Sequence, residues 1–198
     1  MMALVKGQYS ARIAENDADV RAAQALRQLA FSGEGHGTLD RDAFDPICRH
    51  FLVEDQHTGR LVCCFRILPL ANGDEIERSY SAQFYELSAL QRFRGPMVEM
   101  GRFCIHPDVA DPDVLRVAWG AMTAYVDANK VEMLFGCSSF SGTVADEYFD
   151  AFAVLRDRHI APKRWLPKVK APNVFRFAAR LRRKPDLKRA QMRMPPLL

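Results

Sequence analysis

The segment from His50 to Leu70, "HFLVEDQHTGRLVCCFRILPL", limits the fold more than any other part of the chain. Two apolar runs rich in β-branched and aromatic residues flank a polar stretch ending in Thr58-Gly59, the pattern of a β-hairpin. Around this antiparallel pair, strand and helix patterns alternate. "YSARIAEN" (Tyr9 to Asn16) reads as a strand. "DADVRAAQALRQLAFSG" reads as a helix capped by Asp17 or Asp19, apolar on Val20, Ala23, Leu26, Ala30 and Phe31, and closed by Gly33. After the hairpin, "SYSAQFYELSALQRF" fits an amphipathic helix on Tyr80, Phe84 and Leu87, and "PMVEMGRFCIHP" fits a strand. "DPDVLRVAWGAMTAYVDANK" is a helix started near Pro112, "VEMLFGCSSF" a buried strand and "TVADEYFDAFAVLRDRH" a helix. Helices placed between strands, with at least one hairpin, predict an α/β (α+β) three-layer domain with a mixed central sheet.

A chain of 198 residues with 48% hydrophobic content can bury one ordinary core. The expected organisation is a domain over 1–175 and a basic C-terminal segment over 176–198. No apolar run is long enough for a transmembrane helix, and the N-terminus has no signal-peptide core. Five cysteines without C-x-x-C spacing read as buried reduced thiols in a cytoplasmic protein, with no disulfide framework and no metal site. The net charge of +4 hides an asymmetry. Residues Arg156 to Arg193 carry 14 Lys/Arg against two acids, so the remainder of the chain is net acidic. The basic segment is either a solvated face or a surface that meets something anionic. Nucleic acid is the least favoured partner, because aromatic residues are not interleaved with the cations as a base-stacking surface needs.

Charges inside apolar strands mark the candidate chemistry. In "MVEMGRFCIHP", a regular strand would put Glu99 and Gly101 on one face and Met100 and Arg102 on the other. A bulge near Gly101 would bring Glu99 and Arg102 together and splay the sheet beside them. The alternative is two ions with separate partners elsewhere. Arg66 interrupts "VCCFRILP", and a buried guanidinium needs a carboxylate; Glu99 and the acids Asp40, Asp42 and Asp45 are the candidates. A cleft of carboxylates and arginines suits a small zwitterion such as an amino acid. Cys104 and His106 share a strand face but lack an orienting Asp or Asn, so a packed thiol and a capping histidine are the stronger reading. "GCSSFSGT" either cradles a phosphate-bearing arm or caps the following helix.

The blocks "RAAQALRQLAFSG", "LDRDAFD", "HFLVEDQHTGRLVCCFRILP", "PMVEMGRFCIHP" and "VEMLFGCSSFSGT", in this order, closely resemble the ornithine–acyl-ACP N-acyltransferases of the GNAT superfamily. Those enzymes carry out the first step of bacterial ornithine-lipid synthesis. A more distant similarity, to acyl-homoserine-lactone synthases, rests on Asp40, Asp42, Phe44 and Asp45, on Arg66, and on Glu99, Arg102 and Phe103. The resemblance implies a GNAT-like fold whose splayed sheet admits an acyl thioester. It implies transfer of a 3-hydroxyacyl chain from acyl carrier protein to the α-amine of L-ornithine; the alternatives are another acceptor such as glutamine, or a non-catalytic carrier- or membrane-binding module. Glu99 and Arg102 are the expected catalytic residues, Glu99 as general base. Asp42, Phe44, Asp45, Arg66, Gly101, Phe103, Ser138 and Ser139 are the expected substrate-binding residues. No tightly bound cofactor is expected; the acyl-phosphopantetheine of the carrier is the co-substrate. Where acetyltransferases grip a pyrophosphate, this chain has the acidic "HPDVADPDVLRVAWG", which argues for a carrier-borne arm over coenzyme A. Arg180, Arg182, Arg183, Lys184, Lys188 and Arg189 would then face the acidic carrier protein, and peripheral contact with an anionic inner-membrane surface would share the patch. The related chains extend past "QMRMPPLL" with further strands, so the C-terminus is expected to be truncated or short by nature.

Overall fold

The computed structural model describes residues 4–33, 38–142, 144–181 and 184–195. Along the chain lie β1 (Leu4–Lys6), β2 (Tyr9–Ile13), α1 (Asp17–Ser32), β3 (Arg49–Asp55), β4 (Leu61–Leu70), β5 (Tyr85–Glu86) and β6 (Met97–Ile105). These are followed by α2 (Pro112–Ala128), β7 (Met133–Gly136), α3 (Phe149–Arg158), β8 (Lys168–Val169), α4 (Phe177–Arg180) and α5 (Leu187–Arg193). The elements form two compact units, Met1–Gly73 with Arg94–Gly136, and Asp74–Phe93 with Cys137–Leu198.

The first unit is a six-stranded mixed sheet in the order β1-β2-β3-β4-β6-β7, antiparallel except for the parallel β6–β7 pair. The expected hairpin is β3–β4. Its turn is held by the Asp55 carboxylate, which accepts from the His57 amide at 2.8 Å, and by Gly59 in the left-handed region at φ 69°. Strand alternation sends Phe51, Val53, Cys63 and Phe65 to one face, where Val114, Val117, Ala118, Ala121 and Tyr125 of α2 cover them. Leu52, Cys64 and Cys104 go to the other, against Ala23 and Leu26 of α1. Phe51 and Phe65 stack at 4.6 Å at the centre of the larger core. Each such ring, fully buried, contributes about 1.5–3 kcal/mol. The result is the three-layer α/β arrangement expected from the pattern.

β7 pairs only with Met97–Met100, whereas β6 continues to Ile105 alongside β4. The pairing ends at Met100–Gly136 because β7 itself ends there. The point of closest approach needs glycine: a Cβ on Gly136 would lie 2.2 Å from the Met100 carbonyl oxygen.

Several local expectations are corrected. The α1 cap is Asn16, whose side chain accepts from the Asp19 amide, and Phe31 is exposed. Residues 79–93 form no α-helix. They fold as 3-10 turns around β5, because Tyr85–Glu86 pair with β8 and the Glu86 carboxylate captures the Ser88 amide at 2.6 Å. β7 is only four residues long and is half-buried to exposed, not a buried strand. The segment before α3 is a 3-10 turn, Ala145–Tyr148. Of the five cysteines, Cys63, Cys64 and Cys104 are buried as expected, but Cys48 is half-buried and Cys137 exposed.

The second unit contains the β5–β8 ribbon and α3, α4 and α5. Phe152 of α3 is ringed by Phe140, Phe175 and Phe177 at 4.8, 5.0 and 5.7 Å. The Asp186 side chain caps α5 by accepting from the Lys188 and Arg189 amides. No helix among the described residues is long and apolar enough to cross a membrane.

Candidate active site

The site begins with an interruption of β6. Cys104 pairs with Cys64 and Gly101 with Arg66, so two residues of β6, Arg102 and Phe103, stand opposite the single residue Phe65. This is a bulge. The residue with left-handed backbone is Arg102, at φ 53°, and not the neighbouring Gly101. Such a conformation costs a non-glycine residue about 1–2 kcal/mol. The bulge reverses the alternation beyond it. Phe103 goes into the α2-side core, its ring 5.5 Å from Phe65, while Arg102 moves to the α1 side. Glu99 is on the α1 side too, because Val98 belongs to the opposite core and Glu99 pairs across the sheet with Leu68, two residues from Arg66. Glu99 is only 5% exposed.

The loop before β3 supplies three carboxylates and the surrounding elements three guanidiniums. Arg66 grips Asp42 with both terminal nitrogens, each at 2.6 Å, and also reaches Asp45. Arg27 of α1, 1% exposed, makes a two-point bond to Asp45 at 2.9 Å, and the Gln24 amide adds a third donor at 2.9 Å. Arg102 Nη2 is 3.1 Å from Asp42. Asp40 Oδ2 lies 3.1 Å from Arg27 Nε and 3.3 Å from Arg102 Nε, as an ion pair without aligned hydrogen bonds. The Asp42 carboxylate accepts from the Phe44 amide at 2.9 Å and so shapes its own loop; the Phe44 ring lies under the Arg66 guanidinium at 5.8 Å. His50, opposite Arg66 in the β3–β4 register, donates from Nε2 to the Asp45 carbonyl at 3.0 Å.

Burial alone would raise the Asp45 carboxyl, but the bonds from Arg27, Gln24 and Arg66 outweigh it and hold Asp45 well below the usual carboxylate range. Asp42 shows the same balance, burial opposed by Arg66, and is also lowered. Burial keeps His50 neutral at ordinary pH by lowering its imidazole. The Cys48 thiol is pushed up to about 11, first by burial and then by the nearby charge of Glu99, despite the opposing field of Arg66. It is therefore a poor nucleophile.

The fold thus gathers Asp42, Phe44, Asp45, Arg66 and Arg102 into one cluster, with Glu99 and Gly101 on the same sheet face. Arg66 takes its carboxylate partners from the expected acidic group, Asp42 and Asp45, and the ions of the cluster neutralise one another. Phe103 faces the other core, and Ser138 and Ser139 are exposed residues of the second unit. Cys104 and His106 do not meet; the Cys104 sulfur lies 3.5 Å from that of Cys64, and His106 contacts Arg60 at 2.8 Å. Of the basic residues, Arg180 and Arg189 face Asp146 and Asp150 at 3.7 Å, Lys184 and Lys188 are exposed, and Arg182 and Arg183 lie outside the described residues. Sequence reasoning missed Arg27, Gln24 and His50. For Arg27 a signal existed: it falls four residues after Ala23 on the apolar stripe of α1, where a charge has to find a buried partner.

A family model described as an acetyltransferase (GNAT) domain matches residues 26–120, the span that holds this entire cluster apart from Gln24. The solved structure of FeeM, an N-acyl amino acid synthase from uncultured soil microbes, superposes with a TM-score of 0.47 at 13% identity, over 73% of this chain and 77% of that one. The L-ornithine N(alpha)-acyltransferase of Rhodobacter capsulatus is 31% identical over 183 residues, covering 85% of this chain and 71% of that protein. The enzyme of the same name from Brucella abortus is 30% identical over 155 residues, 70% of this chain and 55% of that protein. The chain therefore spans between about half and about seven-tenths of the length of these relatives. The protein is an acyltransferase of the GNAT superfamily and belongs to the L-ornithine N(alpha)-acyltransferase family.

Proposed function

We propose that the chain transfers a 3-hydroxyacyl group from acyl carrier protein to the α-amine of L-ornithine, giving lyso-ornithine lipid. The observation that carries this reading is a coincidence on one strand. A buried carboxylate, Glu99, stands three residues before the β4–β6 bulge that begins at Arg102, on a strand whose pairing with β7 ends at Met100. The relatives' names support ornithine as acceptor. A carrier-borne donor is supported by the start of α2. There the Asp111 carboxylate already accepts from the Asp113 amide at 2.9 Å and from the Tyr9 hydroxyl at 3.1 Å, and Asp108 precedes it by three residues. A coenzyme A pyrophosphate would meet three carboxylates where a helix N-terminus normally welcomes an anion.

In this mechanism Glu99 receives a proton from the ornithine α-ammonium, directly or through water. The amine then attacks the thioester carbon. Backbone N–H groups on the open edge of β6 beyond Met100 stabilise the oxyanion. The C–S bond breaks, the departing phosphopantetheine thiolate takes the remaining proton, and an amide is left. Arg102, the most exposed guanidinium of the cluster, holds the acceptor carboxylate, while Arg27, Arg66, Asp42 and Asp45 fix its position. Arg180, Lys184, Lys188 and Arg189 steer the acidic carrier protein. The test is to incubate the purified protein with 3-hydroxyacyl carrier protein and a panel of amino acids including ornithine, glutamine and lysine, and to read the products by mass spectrometry. Ornithine amide is expected, and Glu99→Gln should lower its formation by roughly 100-fold or more. Near-normal turnover of that variant would remove Glu99 as base; no amide with any acceptor would refute the enzyme reading.

A further inference from the structure

The acidic loop is tied to α1 by a side chain that carries no charge. Gln24 is buried on the inner face of α1 and meets the loop at three residues. Its backbone carbonyl accepts from the Asp40 amide at 3.2 Å. Its side-chain oxygen accepts from Arg41 Nε at 3.1 Å, and its side-chain nitrogen donates to Asp45 Oδ2 at 2.9 Å. The partners fix the orientation of the amide, because a guanidinium only donates and a carboxylate only accepts. They also restrict the residue type. Gln24→Glu would set a second carboxylate against Asp45, and Gln24→Lys would give Arg41 nothing to donate to.

Asp45 already has two guanidinium partners, Arg27 and Arg66, so the Gln24 amide is not needed to balance its charge. What the amide adds is geometric. Its two bonds take hold of the loop on either side of Asp42, at Arg41 and at Asp45. Asp42 and Asp40 are the carboxylates that meet Arg102, at 3.1 and 3.3 Å. The Arg102 side chain is 27% exposed, against 1% for Arg27 and 5% for Arg66, so packing restrains it least. Its direction therefore depends on the loop. We propose that Gln24 is a positioning residue for the acceptor: it sets the loop that aims Arg102 at the ornithine carboxylate. This role rests on the reading of Arg102 as the holder of that carboxylate. It falls outside the residues matched by the GNAT family model, which begin at 26.

The test is Gln24→Met in the full chain, which fills similar space and bonds to neither partner. With 3-hydroxyacyl carrier protein as donor, KM for ornithine should rise roughly tenfold, the worth of a hydrogen bond to a charged group. The kcat and the KM for the donor should stay within about twofold. Arg102→Gln should raise the ornithine KM as well, and adding Gln24→Met to it should change that KM by less than about twofold, since both act through one contact. Arg41→Met alters only an exposed side chain and removes one of the two bonds; it should raise the ornithine KM roughly threefold. Hydrogen exchange at residues 40–45 needs no turnover and should be roughly tenfold faster in Gln24→Met, with α2 and the β3–β4 hairpin unchanged. The proposal is overturned if both variants keep the parent's ornithine KM, if kcat falls in place of a rise in KM, or if the Gln24 and Arg102 effects simply add. If the parent forms no ornithine amide, the transfer reading fails and exchange decides: a loop that exchanges like the parent's in Gln24→Met overturns the positioning role, and faster exchange confined to the loop supports it.

Discussion

Replacing Asp45 by Asn tests whether the charge cluster is one interdependent object. Asp45 is buried and receives two bonds from Arg27, one from Arg66 and one from Gln24. The substitution keeps the shape of the side chain but removes its charge, and the new amide turns an N–H₂ toward a guanidinium. Three arginines would then share two carboxylates, Asp40 and Asp42, with Arg27 out of water. Removing one partner from a buried pair costs about 3–5 kcal/mol, because the other charge stays buried and uncompensated. With a urea dependence of about 1–3 kcal/mol per molar, the unfolding midpoint should fall by roughly 2 M. The assay is urea denaturation followed by circular dichroism. Arg116→Gln, which breaks the exposed pair to Asp113, is the control and should cost less than about 1 kcal/mol. The pH dependence has a definite sign. The folded carboxyl lies below its unfolded value of 3.8, so its contribution is complete above that pH and is lost progressively as pH falls from there toward the lower folded value. The gap between parent and Asp45→Asn should therefore close on acidification below about pH 4. A loss under about 1 kcal/mol at neutral pH, or a gap that does not depend on acid, would refute the view of an interlocked cluster.

Two further outcomes follow from the geometry. Gly136→Ala places a methyl 2.2 Å from the Met100 carbonyl oxygen, so β6 and β7 must move apart. About 1–3 kcal/mol of overpacking should lower the melting temperature by roughly 3–10 °C, and hydrogen exchange should show lost protection along Met133–Gly136. Thiol labelling of the folded chain near pH 8 should add one adduct, at exposed Cys137, as intact mass would show. Cys63, Cys64 and Cys104 are buried, and Cys48, with its thiol pushed up to about 11, is almost wholly protonated there. Rapid modification of Cys48 would contradict that assignment.

Local sequence carried the elements whose burial is decided within a few residues. The β3–β4 hairpin, α1 and α2 were legible because their apolar residues recur with the period of the element and their turns have chemical signatures such as Asp55, Gly59 and Pro112. Arg66 and Glu99 were legible as charges inside apolar strands, and the acidic loop of Asp40, Asp42 and Asp45 as the place where a partner of Arg66 would be found. What remained open is which guanidinium each carboxylate would meet.

That matching is global. Arg102 stands with Glu99 only because a bulge inserts one extra residue into β6, and the backbone strain falls on Arg102 although Gly101 was the natural choice from composition. Arg27 comes from a helix and finds Asp45 eighteen positions away. Residues 79–93 have a helical stripe, yet pairing of β5 with a strand some eighty positions later overrides it. The sequence by itself determined where apolar surface must be buried and where a charge would need rescue. Only the tertiary structure decided which charges rescue one another, because register and the close approach of Gly136 to Met100 depend on segments far apart in the chain.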